Sequence, residues 1–152
     1  MNGLLIANKD QAARQLMANA FQESGYRITT TDSVLNALEK ILEKSIQVVL
    51  LGGALDEQHI ARFVPLLKKC NRNLSIILIA DEMPLDLLRK IRKEGIFYHA
   101  LKPAADEGWA EIRQAVHCAF ENYHQHLNAR PTLFGQKLPV RAARTILTLL
   151  TF

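Results

Sequence analysis

The side chains able to do chemistry in this chain of 152 residues are few and scattered. His124 and His126 stand two apart, a spacing that sends their rings to different sides of a helix. His117 and His124 share a helical face but lie about 10 Å apart along the axis, too far to hold one ion together. The plainer reading of both pairs is the solvated end of a helix. Cys118 follows His117 directly, and adjacent residues on a helix do not face one another, so no thiolate–imidazole pair is built there. His99 falls in a short strand, where it reads either as a pH-sensitive rotamer at a sheet edge or as a hydrogen-bonded filler. The phosphate-cradling patterns G-x-G-x-x-G and G-x-x-x-x-G-K-[ST] are absent, and so is the nucleophile elbow G-x-S-x-G. These residues assemble no metal centre, no cofactor site and no catalytic constellation, and a non-enzymatic protein is expected.

The elements that would position such side chains are clearer than the side chains themselves. Val48–Leu51 is an unbroken apolar run followed by Gly52 and Gly53, which predicts a strand buried on both faces at the centre of a parallel sheet. Leu4–Ala7, Tyr26–Thr31, Ser75–Ala80 and Phe97–Leu101 predict the other strands. Helices alternate with them. Asp10 caps the first, with Ala13, Leu16, Met17, Ala20 and Phe21 inward and Gly25 as its stop. Ser33 caps the second, with Val34, Ala37, Leu38, Ile41 and Leu42 on one face. Asp56 opens the third, with Ile60, Phe63, Val64 and Leu67 inward and Pro65 expected to kink it or end its first part. Pro84 and Gly95 bracket the fourth. Asp106 caps the fifth, whose stripe is Trp109, Ile112, Val116, Ala119, Phe120 and Tyr123. Strict strand–helix alternation requires right-handed crossovers and a parallel sheet covered by helices on both faces, a three-layer α/β/α fold. In such sheets chemistry sits beyond the carboxyl ends of the strands, and there the central strand ends on a residue without a side chain.

Composition narrows the class. The chain suffices for one domain, and no apolar run approaches the ~18 residues of a membrane span, so no membrane association is expected. The N-terminus lacks the pattern of a signal peptide, and Cys70 and Cys118 stand apart, which suits a reduced, cytoplasmic setting. The net charge of +4 resides in residues 125–152, where Arg130, Lys137, Arg141 and Arg144 meet no acid. Four charges are thin for nucleic acid, which is not the expected partner. Asn128–Gln136 reads as a linker. After Pro139 a polar stripe at Arg141, Arg144, Thr145, Thr148 and Thr151 opposes Val140, Ala143, Ile146, Leu147 and Leu150, as in an amphipathic helix. That face packs on its own domain, docks on another subunit or leads into a further domain.

The order of elements and three local stretches resemble the receiver domain of bacterial two-component response regulators, over about residues 3–124. Leu4-Leu5-Ile6-Ala7-Asn8-Lys9-Asp10 resembles the family's first strand with its acidic ending. Gln47-Val48-Val49-Leu50-Leu51-Gly52 resembles the third strand, which ends in the phosphorylated aspartate. Gly95 to Lys102-Pro103 resembles the glycine, fifth strand and terminal Lys-Pro, and is the most specific of the three. The resemblance implies strand order 2-1-3-4-5, a flavodoxin-like fold, and a pocket in which paired carboxylates and the strand-three aspartate hold Mg²⁺. It further implies a lysine and a strand-four hydroxyl that meet the phosphoryl group, and a strand-five aromatic that turns inward.

Carried over by position, most of that apparatus is missing. The acidic pair falls on Asn8 and Lys9, the nucleophile on Gly52, the hydroxyl on Ala80 and the aromatic on His99; only Lys102 is retained. Glycine cannot form an acyl phosphate, and the ammonium of Lys9 repels a divalent cation. The expectation is therefore a pseudo-receiver in residues 1–126 with a linker and amphipathic extension in 127–152. It would bind no Mg²⁺ or other cofactor in this pocket and act through a protein partner of a signalling pathway. A homodimer is a further possibility, through the extension or the face of helix four, strand five and helix five, where Asp86, Arg89, Lys90, Lys93, Tyr98, Glu107, Glu111 and Arg113 fall. Two alternatives stay open. Lys9, Gly52 and Lys102 could form an anion or small-ligand pocket, unless the lysines merely pair with Asp10, Asp81 or Asp56. A displaced acid, Asp56 or Asp10, could serve as phosphoacceptor.

Overall fold

The computed structural model describes residues 2–52, 60–81, 83–104, 106–128, 132–133 and 136–137. Five strands alternate with five helices: β1 (Gly3–Ala7), α1 (Gln11–Ala20), β2 (Arg27–Thr31), α2 (Val34–Leu42), β3 (Val48–Gly52), α3 (Ile60–Cys70), β4 (Ser75–Ile79), α4 (Leu85–Lys93), β5 (Tyr98–Ala100) and α5 (Asp106–Asn128). All strand pairings among these five are parallel, in the order β2-β1-β3-β4-β5. The expected three-layer α/β/α fold and its strand order are thus present.

The sheet is sealed on both sides. Every residue of β1, β3 and β4 is buried. Alternate residues feed two cores. Leu5, Val49, Leu51, Ile76 and Leu78 meet Ile41 of α2, Phe63, Val64 and Leu67 of α3 and Ile91 of α4. Leu4, Ile6, Val48, Leu50, Ile77 and Ile79 meet Met17 of α1 and Ile112, Val116, Ala119 and Phe120 of α5. Continuous apolar runs are what a strand with two covered faces requires. At the start of β1 the backbone of Gly3 passes so close to the Ser45 carbonyl that an added Cβ would lie 3.0 Å from its carbon and nearer still to its oxygen.

Caps behave as the residue types predict. Asp10 accepts from the Ala12 N–H at 3.1 Å and Ser33 from the Asn36 N–H at 3.3 Å. Gly95 closes α4 with φ of 92°, a conformation that favours glycine. Several predicted faces differ in detail. Leu16 and Leu42 are 58% and 60% exposed rather than inward, because α1 and α2 need only a narrow stripe, Ala13–Met17 and Ala37–Ile41, to cover their share of sheet. Pro65 does not end α3, which continues to Cys70 with Ile60, Phe63, Val64 and Leu67 all packed in the core. β5 is shorter than predicted: its ladder pairs only Tyr98–Ala100, although the Phe97 N–H still donates to the Ile76 carbonyl at 2.8 Å, and Phe97 and Leu101 are exposed. α5 runs to Asn128, and Thr132–Leu133, within the stretch read as a linker, pairs antiparallel with Gln136–Lys137 at its end. The expected helix after Pro139, and the cap expected of Asp56, lie outside the described residues.

Gly3→Ala is expected to destabilise the fold by about 1–3 kcal/mol, since the atom in the way is backbone and cannot swing aside. Urea denaturation monitored by circular dichroism checks this.

Candidate functional site

The polar residues of interest gather at the carboxyl rim of the sheet, because only there do the sealed strands release the chain. Asn8 and Lys9 leave β1, Gly52 ends β3, Ala80 follows β4, and His99 and Lys102 lie in and after β5. The expected residues therefore share one rim.

Asn8 is the centre of this rim. It is buried, its Oδ1 accepts from the Asp10 N–H at 2.9 Å, and its own N–H donates to the Thr31 carbonyl at 3.0 Å. The side chain is thereby folded over the end of β3. A Cβ on Gly52 would come within 2.7 Å of the Asn8 Cγ and 3.1 Å of its Cβ, with the amide nitrogen closer still. The glycine and the asparagine interlock: the side chain of Asn8 lies where a side chain at position 52 would begin.

A cation secures the same loop from outside. Arg14, on α1, donates from one guanidinium nitrogen to the Asn8 carbonyl at 2.6 Å and to the Lys9 carbonyl at 2.9 Å. Such charge-assisted bonds are among the stronger ones available to a loop. The sequence reading did not single out Arg14; a basic residue six positions after Asn8, in the first turns of the helix, is a signal that only the loop's folded path explains. Lys9 and Lys102 are both exposed. Among the described residues no ion pair joins either lysine to Asp10 or Asp81, and Asp56 lies outside them. Asp10 spends one carboxylate oxygen on its cap. Ala80 is buried and its N–H donates to the Ala100 carbonyl at 3.1 Å, so its position is fixed but chemically blank. No group of three His, Cys, Asp or Glu side chains gathers among the described residues as an ion site would need.

On β5 the two aromatic neighbours go opposite ways. The Tyr98 hydroxyl donates to the Glu111 carboxylate on α5, and this bond is the leading reason its pKa is raised. His99 faces the α4 side and its Nε2 is buried without a hydrogen-bond partner among the described residues, so it is not the hydrogen-bonded filler of one reading. Burial lowers its pKa, and the positive charge of Arg92 on α4 adds to the effect. The ring is neutral at pH 7 and charging it is penalised.

Comparison with known proteins follows this geometry. Residues 4–116 match the family described as the response regulator receiver domain. No curated protein matches the chain at a significant level. Among solved structures, a response regulator receiver domain protein of Clostridium thermocellum superposes with a TM-score of 0.72 at 19% identity, covering 82% of this chain and 98% of that one. A CheY-like receiver domain protein of Methanospirillum hungatei gives 0.71 at 14% identity, with the same coverage. The beryllofluoride-activated NtrC4 receiver domain, a dimer in solution, gives 0.69 at 23% identity, covering 81% and 99%. Likeness at these identities establishes the fold. No helix among the described residues is long and apolar enough to cross a membrane.

The depressed pKa of His99 has a direction that can be tested. The unfolded chain takes up its proton near the ordinary value of 6.5, while the folded chain resists until lower pH. The contribution to stability is therefore whole above about 6.5 and is lost as pH falls from there through the folded value. His99→Phe is expected to remove this part of the acid-side loss. Denaturation series from about pH 8 to about pH 5.5, above the carboxylate range, check it. Equal slopes in the two proteins would contradict it.

Proposed function

The chain belongs to the response regulator receiver domain family, and from that premise we propose that it is a pseudo-receiver: a two-component signalling module without an aspartyl phosphorylation site, acting through protein–protein contacts. The observation that carries this reading is the interlock of Asn8 with Gly52. Phosphoryl transfer to a receiver needs a carboxylate at the end of β3; here that position is a glycine, and a side chain there would have to displace Asn8. The residues present also do not suit Mg²⁺. That ion takes hard oxygen ligands in near-octahedral geometry, whereas this loop offers an amide oxygen already engaged by a backbone N–H and an exposed ammonium. Ala80 supplies no hydroxyl and His99 stands where the family keeps an aromatic switch.

What remains for signalling is surface. On this reading residues 1–126 form the receiver-like unit and 127–152 an extension of it. α4 ends in Lys90, Arg92 and Lys93, while Glu111 on α5 holds Tyr98. This mixed-charge face supports contact with a protein partner, or with a second copy through reciprocal ion pairs. An anion pocket at Lys9, Gly52 and Lys102 is less well supported, since the Asn8 side chain takes the space between strand ends. A displaced acid at Asp10 is less well supported because that carboxylate caps α1.

Incubation with acetyl phosphate and Mg²⁺ is expected to leave the protein unmodified by intact-mass analysis. Gly52→Asp alone is expected to stay unmodified as well, because Asn8 remains in place. A stable phosphorylated species mapped to this rim would overturn the proposal. The interlock itself is tested by a double-mutant cycle. Gly52→Ala is expected to destabilise by about 1–3 kcal/mol, and much of that should disappear when Asn8→Ala is already present. For the surface, a dimer seen by light scattering should dissociate on reversing Arg89 and Lys93 to glutamate. A dimer unaffected by that change would place association elsewhere.

A further inference from the structure

The opposite rim of the sheet carries a feature that the receiver chemistry does not use. The last turn of α3 brings Lys68 and Lys69 together, and Arg72 follows in the turn before β4. With Pro65 and Glu94 they line an open cavity of about 500 Å³. That volume lies within the range of small-molecule sites, roughly 300–1,000 Å³. Lys68 is its fixed point. The side chain is half-buried, its Nζ donates to the Leu74 carbonyl at 2.9 Å, and desolvation lowers its pKa. Lys69, Arg72 and Glu94 are exposed.

Among the described residues none of these three cations forms an ion pair with a carboxylate, Glu94 included. The cavity's lining thus holds a surplus of two positive charges that no carboxylate among the described residues pairs. The fold does not demand them, since α3 packs through Ile60, Phe63, Val64 and Leu67. A helix C-terminus favours a cation in its last turn, which accounts for Lys68 and Lys69 but not for Arg72 beyond the end, nor for the cavity between them.

We propose that this cavity binds a small soluble polyanion carrying two or more phosphate groups, gripped by Lys68, Lys69 and Arg72. Arginine offers a planar fork suited to two phosphate oxygens, and the lysines act as point charges on either side. Among the described residues the lining contains no aromatic side chain, so recognition rests on charge and not on stacking of a base. Glu94 weakens the grip of a fully ionised ligand and limits the charge the site accepts.

The test is a titration of the whole chain with inorganic pyrophosphate, followed by amide chemical shifts. Saturable shifts centred on residues 68–72 and 94 are expected, with weaker binding of inorganic phosphate. The affinity should fall severalfold as ionic strength rises from about 0.05 to about 0.2 M. Lys69→Gln with Arg72→Gln, both at exposed positions, is expected to weaken binding by about tenfold or more, and Glu94→Gln to tighten it. Lys9→Gln with Lys102→Gln, on the other rim, should bind as the unaltered chain does. Absence of saturable binding, indifference to the Lys69/Arg72 change, or shifts centred on residues 9 and 102 would each overturn the proposal. None of these outcomes depends on whether the receiver rim is phosphorylated, so the two proposals fail separately.

Discussion

Burial of the three inner strands on both faces is the constraint from which the rest of this structure follows. β1, β3 and β4 expose nothing along their lengths, so their residues must be apolar or small throughout. The same sealing leaves polar chemistry only at the strand ends, where the chain emerges from between the helical layers. Both sites discussed above are therefore rim sites: one at the carboxyl ends, around Asn8, and one at the amino ends, around Lys68. They are separated by the length of the sheet and share no residue.

At the carboxyl rim the arrangement is closed rather than vacant. A glycine at the end of β3 could have left a hole. Instead Asn8 is drawn inward by the Asp10 N–H and lies over Gly52, while Arg14 ties the same loop to α1 through two carbonyls. The positive charge of Arg14 meets backbone oxygens on the outside of the loop, and the side chain that fills the interior is neutral. The rim is held by hydrogen bonds.

Much of this was legible in the residues. The runs at Leu4–Ala7, Val48–Leu51 and Ser75–Ala80 announced buried strands, and Asp10, Ser33 and Gly95 marked helix ends that the structure keeps. The family likeness carried strand order, which local patterns alone do not encode. Less legible were the partly covered helices. Leu16 and Leu42 have the period of core residues, yet the sheet beneath α1 and α2 needs only a narrow stripe of each. Pro65 looked like a break, but four core side chains of α3 outweigh one missing hydrogen bond. The six rim positions could be named from sequence. What they do to one another could not, because the contact between Asn8 and Gly52 joins residues 44 positions apart and depends on how the Asn8 side chain folds back. The cluster at Lys68, Lys69 and Arg72 is plain in the sequence but reads there as an ordinary basic helix end. Only the cavity and the absence of paired acids distinguish it.

The interlock of Asn8 and Gly52 also bears on descent. A glycine codon lies one base change from an aspartate codon, so position 52 alone is a short step from an acidic residue. With Asn8 folded over it, that step meets a steric penalty before any function could reward it. A change at position 8 would have to come first, and by itself it would open an empty space beside a buried strand. The two positions are therefore coupled: a side chain at 52 is accommodated only together with a shift or a smaller residue at 8.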